Sequence, residues 1–392
     1  MIEITDKSKC SGCSACYSIC PKNCISMIED EEGFLYPKVN KDDCIKCGLC
    51  EKVCPLNENN NIKYGVLESC IIQNKDQDIL AESTSGGAFT PIAKYVIEQG
   101  GVIFGVEMSN KDFFVKHTKI ENVADLRKYR SSKYVQSYVG NSFKEAKEEL
   151  DKKRLVCFSG TPCQIQGFKN YLRKDYENLI TVDVVCRGVP SPGVWKKYCG
   201  YLKTKGKVNN IVFRNKDFGY QYSTMKVQYG DGSIERNGIE SDQWLRMFFS
   251  GMILRPSCPT CNFRTVERCS DFTIWDCFNV SDLTNELDET KGATRMLIHS
   301  QKALDIFEKI MDNFYVINAP VEIVAKGISG TALLNKRKDE FIDDYSKMDM
   351  KTLLDKWFPM SCKVKIKKYS RRILNKLGID LYIKKIKRKI GR

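Results

Sequence analysis

Eight cysteines fall in two copies of one phrase, Cys10-x2-Cys13-x2-Cys16-x3-Cys20-Pro21 and Cys44-x2-Cys47-x2-Cys50-x3-Cys54-Pro55. Three thiolates at such short spacing wrap one corner of a cubane. The fourth, just before a proline, points away from its own loop and reaches the other cluster. The spacing therefore predicts two 4Fe–4S clusters, one on Cys10, Cys13, Cys16 and Cys54, the other on Cys44, Cys47, Cys50 and Cys20. Zinc sites favour two pairs at wider separations, and a disulfide framework suits a small secreted chain. Neither alternative matches two intact copies as well.

The pattern is that of a two-cluster ferredoxin fold, but a chain of 392 residues needs two or three domains. Between the phrases, Cys24 to Pro37 holds two short apolar runs around Gly33, which predicts a hairpin whose apolar side chains shield the clusters. Cys24 lies outside the phrase and is read as a buried thiol. A polar stretch, Leu56 to Asn61, marks the first linker. No run of about 18 apolar residues spans a membrane, and Met1 leads almost directly into Cys10, so a reducing cytoplasm is expected to hold the 19 cysteines. Only His117 and His299 are present, too few for a Ser-His-Asp or Cys-His mechanism. The net charge of +14 is local: residues 362–392 hold thirteen Lys and Arg against Asp380, leaving the remainder near +2.

In the body, Ser83-Thr-Ser-Gly-Gly-Ala-Phe-Thr-Pro91 precedes a helical pattern to Gln99. Hydroxyls and glycines at a helix start suit either an ordinary N-cap or the phosphate of a flavin or nucleotide, and the N-cap leads. Val102 to Val106 reads as a buried strand. Leu155–Phe158, a helix from Pro162 to about Arg173, and Leu179–Val185 make a βαβ unit with parallel strands. Cys163 opens that helix and Cys186 ends the second strand, so both fall on the carboxyl edge where such sheets bind ligands. The helix N-terminus should favour a thiolate at Cys163. Ile211–Arg214 and Ser223–Tyr229 read as antiparallel strands, and Trp244–Phe249 as a helix. Cys258-Pro-Thr-Cys261 is a metal half-site with two completions: a local zinc knot with Cys269 and Cys277, slightly favoured by spacing, or a third cluster with Cys163 and Cys186. In the tail, Ile366, Tyr369, Ile373 and Leu377 form one apolar stripe, and Ile379, Tyr382, Ile383, Ile386 and Ile390 another beyond Gly378. Basic residues crowd the other faces. The tail therefore reads as a membrane-surface element on anionic lipid, or else as a solvated or packing helix. No groove-reading motif indicates nucleic acid.

Six phrases together resemble a known family: Ser83-Thr-Ser-Gly-Gly-Ala-Phe89, Ser132-Lys-Tyr-Val-Gln-Ser137, Gly160-Thr-Pro-Cys-Gln164, Val182-Asp-Val-Val-Cys186, Gly188-Val-Pro-Ser-Pro192 and Arg255-Pro-Ser-Cys258-Pro-Thr-Cys261. The chain resembles beta subunits of coenzyme F420-reducing hydrogenases and F420-linked formate dehydrogenases, in the bacterial single-chain form with a fused ferredoxin. That resemblance implies FAD beside a 4Fe–4S cluster. It makes Cys163, Cys186, Cys258 and Cys261 the third cluster's ligands, and it nominates Ser83, Ser85, Gly86, Gly87, Tyr134, Gln136, Ser137 and Thr161 for flavin contact. Where the family has Cys-His-Gly this chain has Cys186-Arg187-Gly188, so Arg187 becomes the candidate for recognising substrate charge. Trp275 stands where the family has glycine and Asn279 follows, which blocks close backbone approach to a ligand there.

The fold expected is thus α+β and α/β: a ferredoxin domain over 1–58, the two parts of a mixed α/β flavin-binding body over 65–150 and 151–345, and a basic helical tail over 346–392. The function expected is that of a cytoplasmic, or peripheral inner-membrane, oxidoreductase. It would pass electrons from a redox protein through 4Fe–4S clusters and FAD to an organic acceptor, or in reverse. The alternatives are a non-catalytic electron-transfer subunit and a scaffold with a degenerate flavin site.

Overall fold

The structure, a computed structural model, describes residues 1–57, 63–278, 280–330 and 332–379. Both cysteine phrases wind into a short helix, Ala15–Ile19 and Leu49–Lys52, each entered through a left-handed residue, Ser14 at φ +66° and Gly48 at φ +73°. Between them β1 (Ile25–Glu29) and β2 (Leu35–Val39) form the expected antiparallel hairpin, paired Ile25 to Val39, with Gly33 at φ +79°. Gly33 also permits a close approach: a Cβ there would lie 2.7 Å from Gly193 Cα, at the start of helix Pro192–Thr204. The Gly193 N–H donates to Gly33 O at 3.0 Å, and Ser191 Oγ to Glu32 O at 2.6 Å. The hairpin turn is thereby fastened to the body.

The body is built on an eight-stranded mixed sheet. Its strands in chain order are β3 (Glu68–Asn74), β4 (Val102–Met108), β5 (Val115–Ile120), β6 (Val156–Gly160), β7 (Leu179–Val184), then, after the second sheet described below, Phe272–Cys277, Ala293–Ile298 and Phe314–Asn318. The second sheet is antiparallel: β8 (Val208–Asn215), β9 (Thr224–Tyr229) and β10 (Ile234–Asn237). With it counted, the last three strands of the large sheet are β11, β12 and β13, and the order across that sheet is β13-β3-β12-β11-β7-β6-β4-β5. The four central strands β11, β7, β6 and β4 run parallel, and the outer ones antiparallel.

Strand alternation distributes the core to both faces. Cys157, Ile180 and Phe272 point to one side, under helices Phe89–Glu98 and Gln301–Ile310. Val156 and Phe158 point to the other, under Ser142–Asp151 and Pro162–Leu172, where Cys13, Ala15 and Val53 of the N-terminal segment join them. The βαβ unit is as expected, with β6 and β7 parallel and Ser159 opposite Val182. Its helix starts on Pro162 behind Thr161, whose N–H donates to Gln164 Oε1 at 3.0 Å. The β8–β10 sheet packs on Pro192–Thr204, Gln243–Ser250 and the later helices Lys338–Lys347 and Met350–Trp357 around Trp195 and Trp244. Both histidines are core residues: His117 stacks on Phe158 and bonds to Ser159 O, and His299 meets Thr273 and Gly65 O. Among the described residues no helix is long and apolar enough to cross a membrane. Much of the first linker, residues 58–61, and the second tail stripe beyond Ile379 lie outside the described residues, as does Asn279.

Candidate functional site: three cysteine-lined cavities

Each cysteine phrase surrounds a cavity with its own first three cysteines and the last of the other. Cys10, Cys13, Cys16 and Cys54 line one, roofed by Met27 and Pro37 of the hairpin. Cys20, Cys44, Cys47 and Cys50 line the other, with Ile25 and Val39. The apolar hairpin residues thus stand where shielding needs them. Cys24 is buried, as read from the sequence; its Sγ also lies 3.4 Å from Cys20 Sγ and borders the same cavity, as a fifth sulfur.

A third cavity lies at the carboxyl edge of the parallel strands. Cys163 follows β6, Cys186 follows β7, and Cys258 and Cys261 come from the loop after helix Gln243–Ser250; all four line it, with Gly188, Ser257 and Arg264. The local zinc knot does not form. Cys269 borders a different cavity with Asp183 and Gln166, and Cys277 is buried against Ile71, Val280 and Leu287. Among the described residues no three Cys, His, Asp or Glu side chains converge as a single metal ion requires; each cysteine set rings a cavity. Burial first, and then the Cys258, Cys163 and Cys261 thiols, hold Cys186 well above the ordinary thiol range. Burial likewise pushes Cys163 up to about 12, with Cys261 and Cys258 adding to it and the Thr161 hydroxyl opposing it. The thiolate expected from the helix N-terminus is therefore overruled by desolvation. Such a set ionises only with a cation among its sulfurs, and an iron–sulfur core supplies that positive charge. Polar groups already meet the sulfurs: Val189 N–H donates to Cys258 Sγ at 3.4 Å, and Thr161 Oγ1 lies 3.2 Å from Cys163 Sγ.

The first and third cavities are neighbours, and Ser11 and Leu56 of the N-terminal segment line the third. One residue that the sequence did not single out holds them together. Arg255 is wholly buried. Its Nε donates to Cys10 O at 2.7 Å, Nη1 to Gln136 Oε1 at 3.0 Å, and Nη2 to Leu35 O at 3.0 Å and Cys10 Sγ at 3.4 Å. The guanidinium also lies over Tyr36, 4.2 Å from the ring centre. Gln136 completes the seat by donating to Ser11 O at 2.9 Å. Gly167 admits the same loop: a Cβ there would stand 2.8 Å from Cys13 Sγ.

The residues nominated for flavin contact are mostly engaged by protein. Ser83 is not at a helix start. It caps the preceding helix Gln77–Glu82, its Oγ donating to Ile79 O, while the next helix begins at Phe89 behind Ala88, which makes no side-chain cap. Ser85 Oγ and the Gly86 N–H meet Thr294 Oγ1 at 2.9 and 2.8 Å. A Cβ on Gly86 would come 2.5 Å from Ile72 O, so strand packing alone accounts for that glycine. Gly87 is at φ +74°. Ser137 accepts from Gln164, and Thr161 bonds to Cys163 and Gln164. Thr84 and Ser132 bond at 2.9 Å, which joins the two nominated phrases.

Tyr134 belongs to a different group, a cationic and aromatic wall beside Cys186. The exposed Arg187 lies over Phe249, Phe249 packs edge-on to Tyr134, and Tyr134 OH accepts from Arg214 Nη1 at 3.1 Å. Arg214 also pairs with Asp276 at 3.5 Å and lies over Tyr220 and Phe278. Its Nη2 is buried with no protein partner among the described residues, and so is Ser131 Oγ. Trp275 points the other way, into the apolar cluster of Cys277 and Val280.

Residues 9–57 match the family described as 4Fe-4S dicluster domain, and residues 153–322 match the carboxy-terminal region of the coenzyme F420 hydrogenase/dehydrogenase beta subunit. The chain carries that carboxy-terminal F420 hydrogenase/dehydrogenase domain behind a dicluster domain. The beta-subunit match spans Cys163, Cys186, Cys258 and Cys261, and the dicluster match supports 4Fe–4S clusters in the N-terminal segment. A chain in the solved F420-reducing [NiFe] hydrogenase complex from Methanosarcina barkeri is similar at 15% identity and a TM-score of 0.47, over 69% of this chain and 90% of that one. No curated protein matches the chain.

Proposed function

We propose that the protein is a cytoplasmic iron–sulfur flavoprotein oxidoreductase. In this reading it exchanges electrons with a redox protein and a hydride with an organic acceptor, a deazaflavin or another small molecule. The ligands are Cys10, Cys13, Cys16 and Cys54 for the inner cluster, Cys20, Cys44, Cys47 and Cys50 for the outer, and Cys163, Cys186, Cys258 and Cys261 for the third. FAD is assigned to the wall of Tyr134, Arg214 and Phe278. Bound there, these groups supply one-electron relay and two-electron transfer. The chain's own residues fix their spacing, exclude water and set their potentials.

One observation carries the reading: the cavity of Cys163, Cys186, Cys258 and Cys261 is closed by Ser11 and Leu56 of the dicluster segment, so inner and third clusters would be adjacent. The unpartnered Arg214 Nη2 suits an anionic or carbonyl acceptor, as a flavin presents. Arg187, exposed above Phe249, suits recognition of an acidic acceptor.

Protein purified without air tests this directly. Three filled cubanes give about twelve iron atoms per chain, with flavin absorbance. About eight iron atoms with one zinc would revive the knot, against the separation of Cys269 and Cys277. Clusters without flavin would favour the second reading, an electron-transfer subunit docked on a partner enzyme, which the engagement of Ser83, Ser85, Gln136 and Ser137 with protein partners favours.

A further inference from the structure

Helix Cys362–Lys376 is amphipathic, yet it is seated the wrong way round for a helix that merely completes a core. Its half-buried face carries Val364 and Leu374 but is otherwise polar and basic. Arg371 Nη1 donates to Glu240 Oε2 at 2.8 Å, and its guanidinium lies over Tyr222. Arg372 donates to Arg236 O and lies over Phe218. Lys368 and Asn375 share this side. Ile366, Tyr369, Ile373 and Leu377, at i, i+3, i+7 and i+11, share the opposite side. All four are exposed, at 65%, 58%, 59% and 63%. Lys363, Lys365, Lys367 and Lys376 are exposed around the stripe.

We propose that this stripe is the docking surface for an anionic lipid bilayer. The helix would lie in the plane of the interface with the four apolar side chains inserted and the lysines reaching the headgroups. The charge decides the occupant. Residues 362–379 carry seven Lys and Arg and no acid, so a second copy presenting the same helix would be repelled. Residues 380–392 add six more basic residues against Asp380 to the same end of the chain. A surface both apolar inside and negative outside satisfies stripe and lysines together. The Arg371–Glu240 contact fixes the stripe outward before any membrane is met, so no refolding is needed to expose it. The inference is independent of the redox reading.

Full-length protein is to be sedimented with vesicles of phosphatidylcholine alone and of phosphatidylcholine mixed with phosphatidylglycerol, at low and high salt. The double variant Ile373→Ser, Leu377→Ser alters only exposed positions, and iron content checks that it folds. The expected result is binding to the mixed vesicles alone, weakened by salt and reduced about tenfold or more in the double variant. A second variant, Lys365→Glu with Lys376→Glu, should lose the preference for anionic vesicles. Equal binding by wild type and the serine variant overturns the proposal. Absence of vesicle binding by the wild type overturns it too, and so does a dimer that the serine variant dissolves, which would give the stripe to a second copy.

Discussion

Replacing Arg255 by methionine keeps an unbranched apolar stem and removes the charge and the donors. Arg255 Nη2 lies 3.4 Å from Cys10 Sγ. A unit charge about 4 Å from another, at an effective dielectric of ~20, interacts by about 4 kcal/mol. The electron added on reduction spreads over a whole cubane, most of it farther from Arg255 than Cys10. About a third of that energy, ~1.4 kcal/mol, should therefore reach the couple, or about 60 mV for one electron. The lost N–H···S bond acts in the same direction. Arg255→Met should therefore lower the inner cluster's potential by roughly 60 mV and leave the outer one in place. The substitution also strips the donors from Cys10 O and Leu35 O, at about 1–3 kcal/mol each, so the dicluster segment should become more sensitive to proteolysis. Arg255→Lys keeps the charge without the planar fork and should restore most of the potential but not the protection. The assay is a redox titration followed by electron paramagnetic resonance under anaerobic conditions. Full iron content with both potentials unmoved in Arg255→Met would refute the electrostatic argument.

Further outcomes follow from single contacts. Gly167→Val should cost about four iron atoms per chain, because its Cβ would stand 2.8 Å from Cys13 Sγ; full iron would show that the loop can yield. Cys186→Ala should lose a similar amount of iron while Cys277→Ala keeps it; unchanged iron in Cys186→Ala with zinc lost in Cys277→Ala would restore the zinc knot. Arg214→Gln should leave iron intact and abolish flavin retention; unchanged flavin content would move the flavin elsewhere. Burial lowers the pKa of His117 from 6.5 to about 4, below its value in the unfolded chain. The unfolded chain therefore binds the extra proton between those values. The stability contributed is complete above about pH 6.5 and is lost as pH falls through about 4, reaching ~3 kcal/mol. His117→Asn should flatten that limb in denaturant titrations, and parallel acid limbs would exclude His117 as its source.

The parts legible in the sequence were those whose cause is local. Cysteine spacing alone sorted the first two cavities, since backbone reach dictates which thiol crosses to the other loop. The alternation from β6 through its helix to β7 carried both periodicities, and with them the shared edge of Cys163 and Cys186. Contacts made over long separations were not legible. Spacing gave Cys258 and Cys261 closer neighbours in Cys269 and Cys277; the family resemblance named Cys163 and Cys186 instead, and the sheet turns the nearer pair away. Nothing around Arg255 announces a donor to Cys10, 245 positions distant. The hydroxyl-rich phrase at Ser83 does lead into a helix, at Phe89, but its hydroxyls do not cap that helix: Ser83 closes the preceding one and Ser85 is pressed against β12. The tail's stripe gave the helix and its faces, but which face turns to the body depends on Glu240 and Tyr222.

The two N-terminal cavities differ in how they meet air. Cys13 is buried against the body and Cys16 within the N-terminal segment, while Cys47 and Ile45 stand exposed at the outer set. Attack by dioxygen on sulfur follows access, so aerated protein should bleach in two stages, the outer set first. The first injury would sever the molecule from its supply while its interior stayed intact, and repair would need iron and sulfide delivered only to the outer rim.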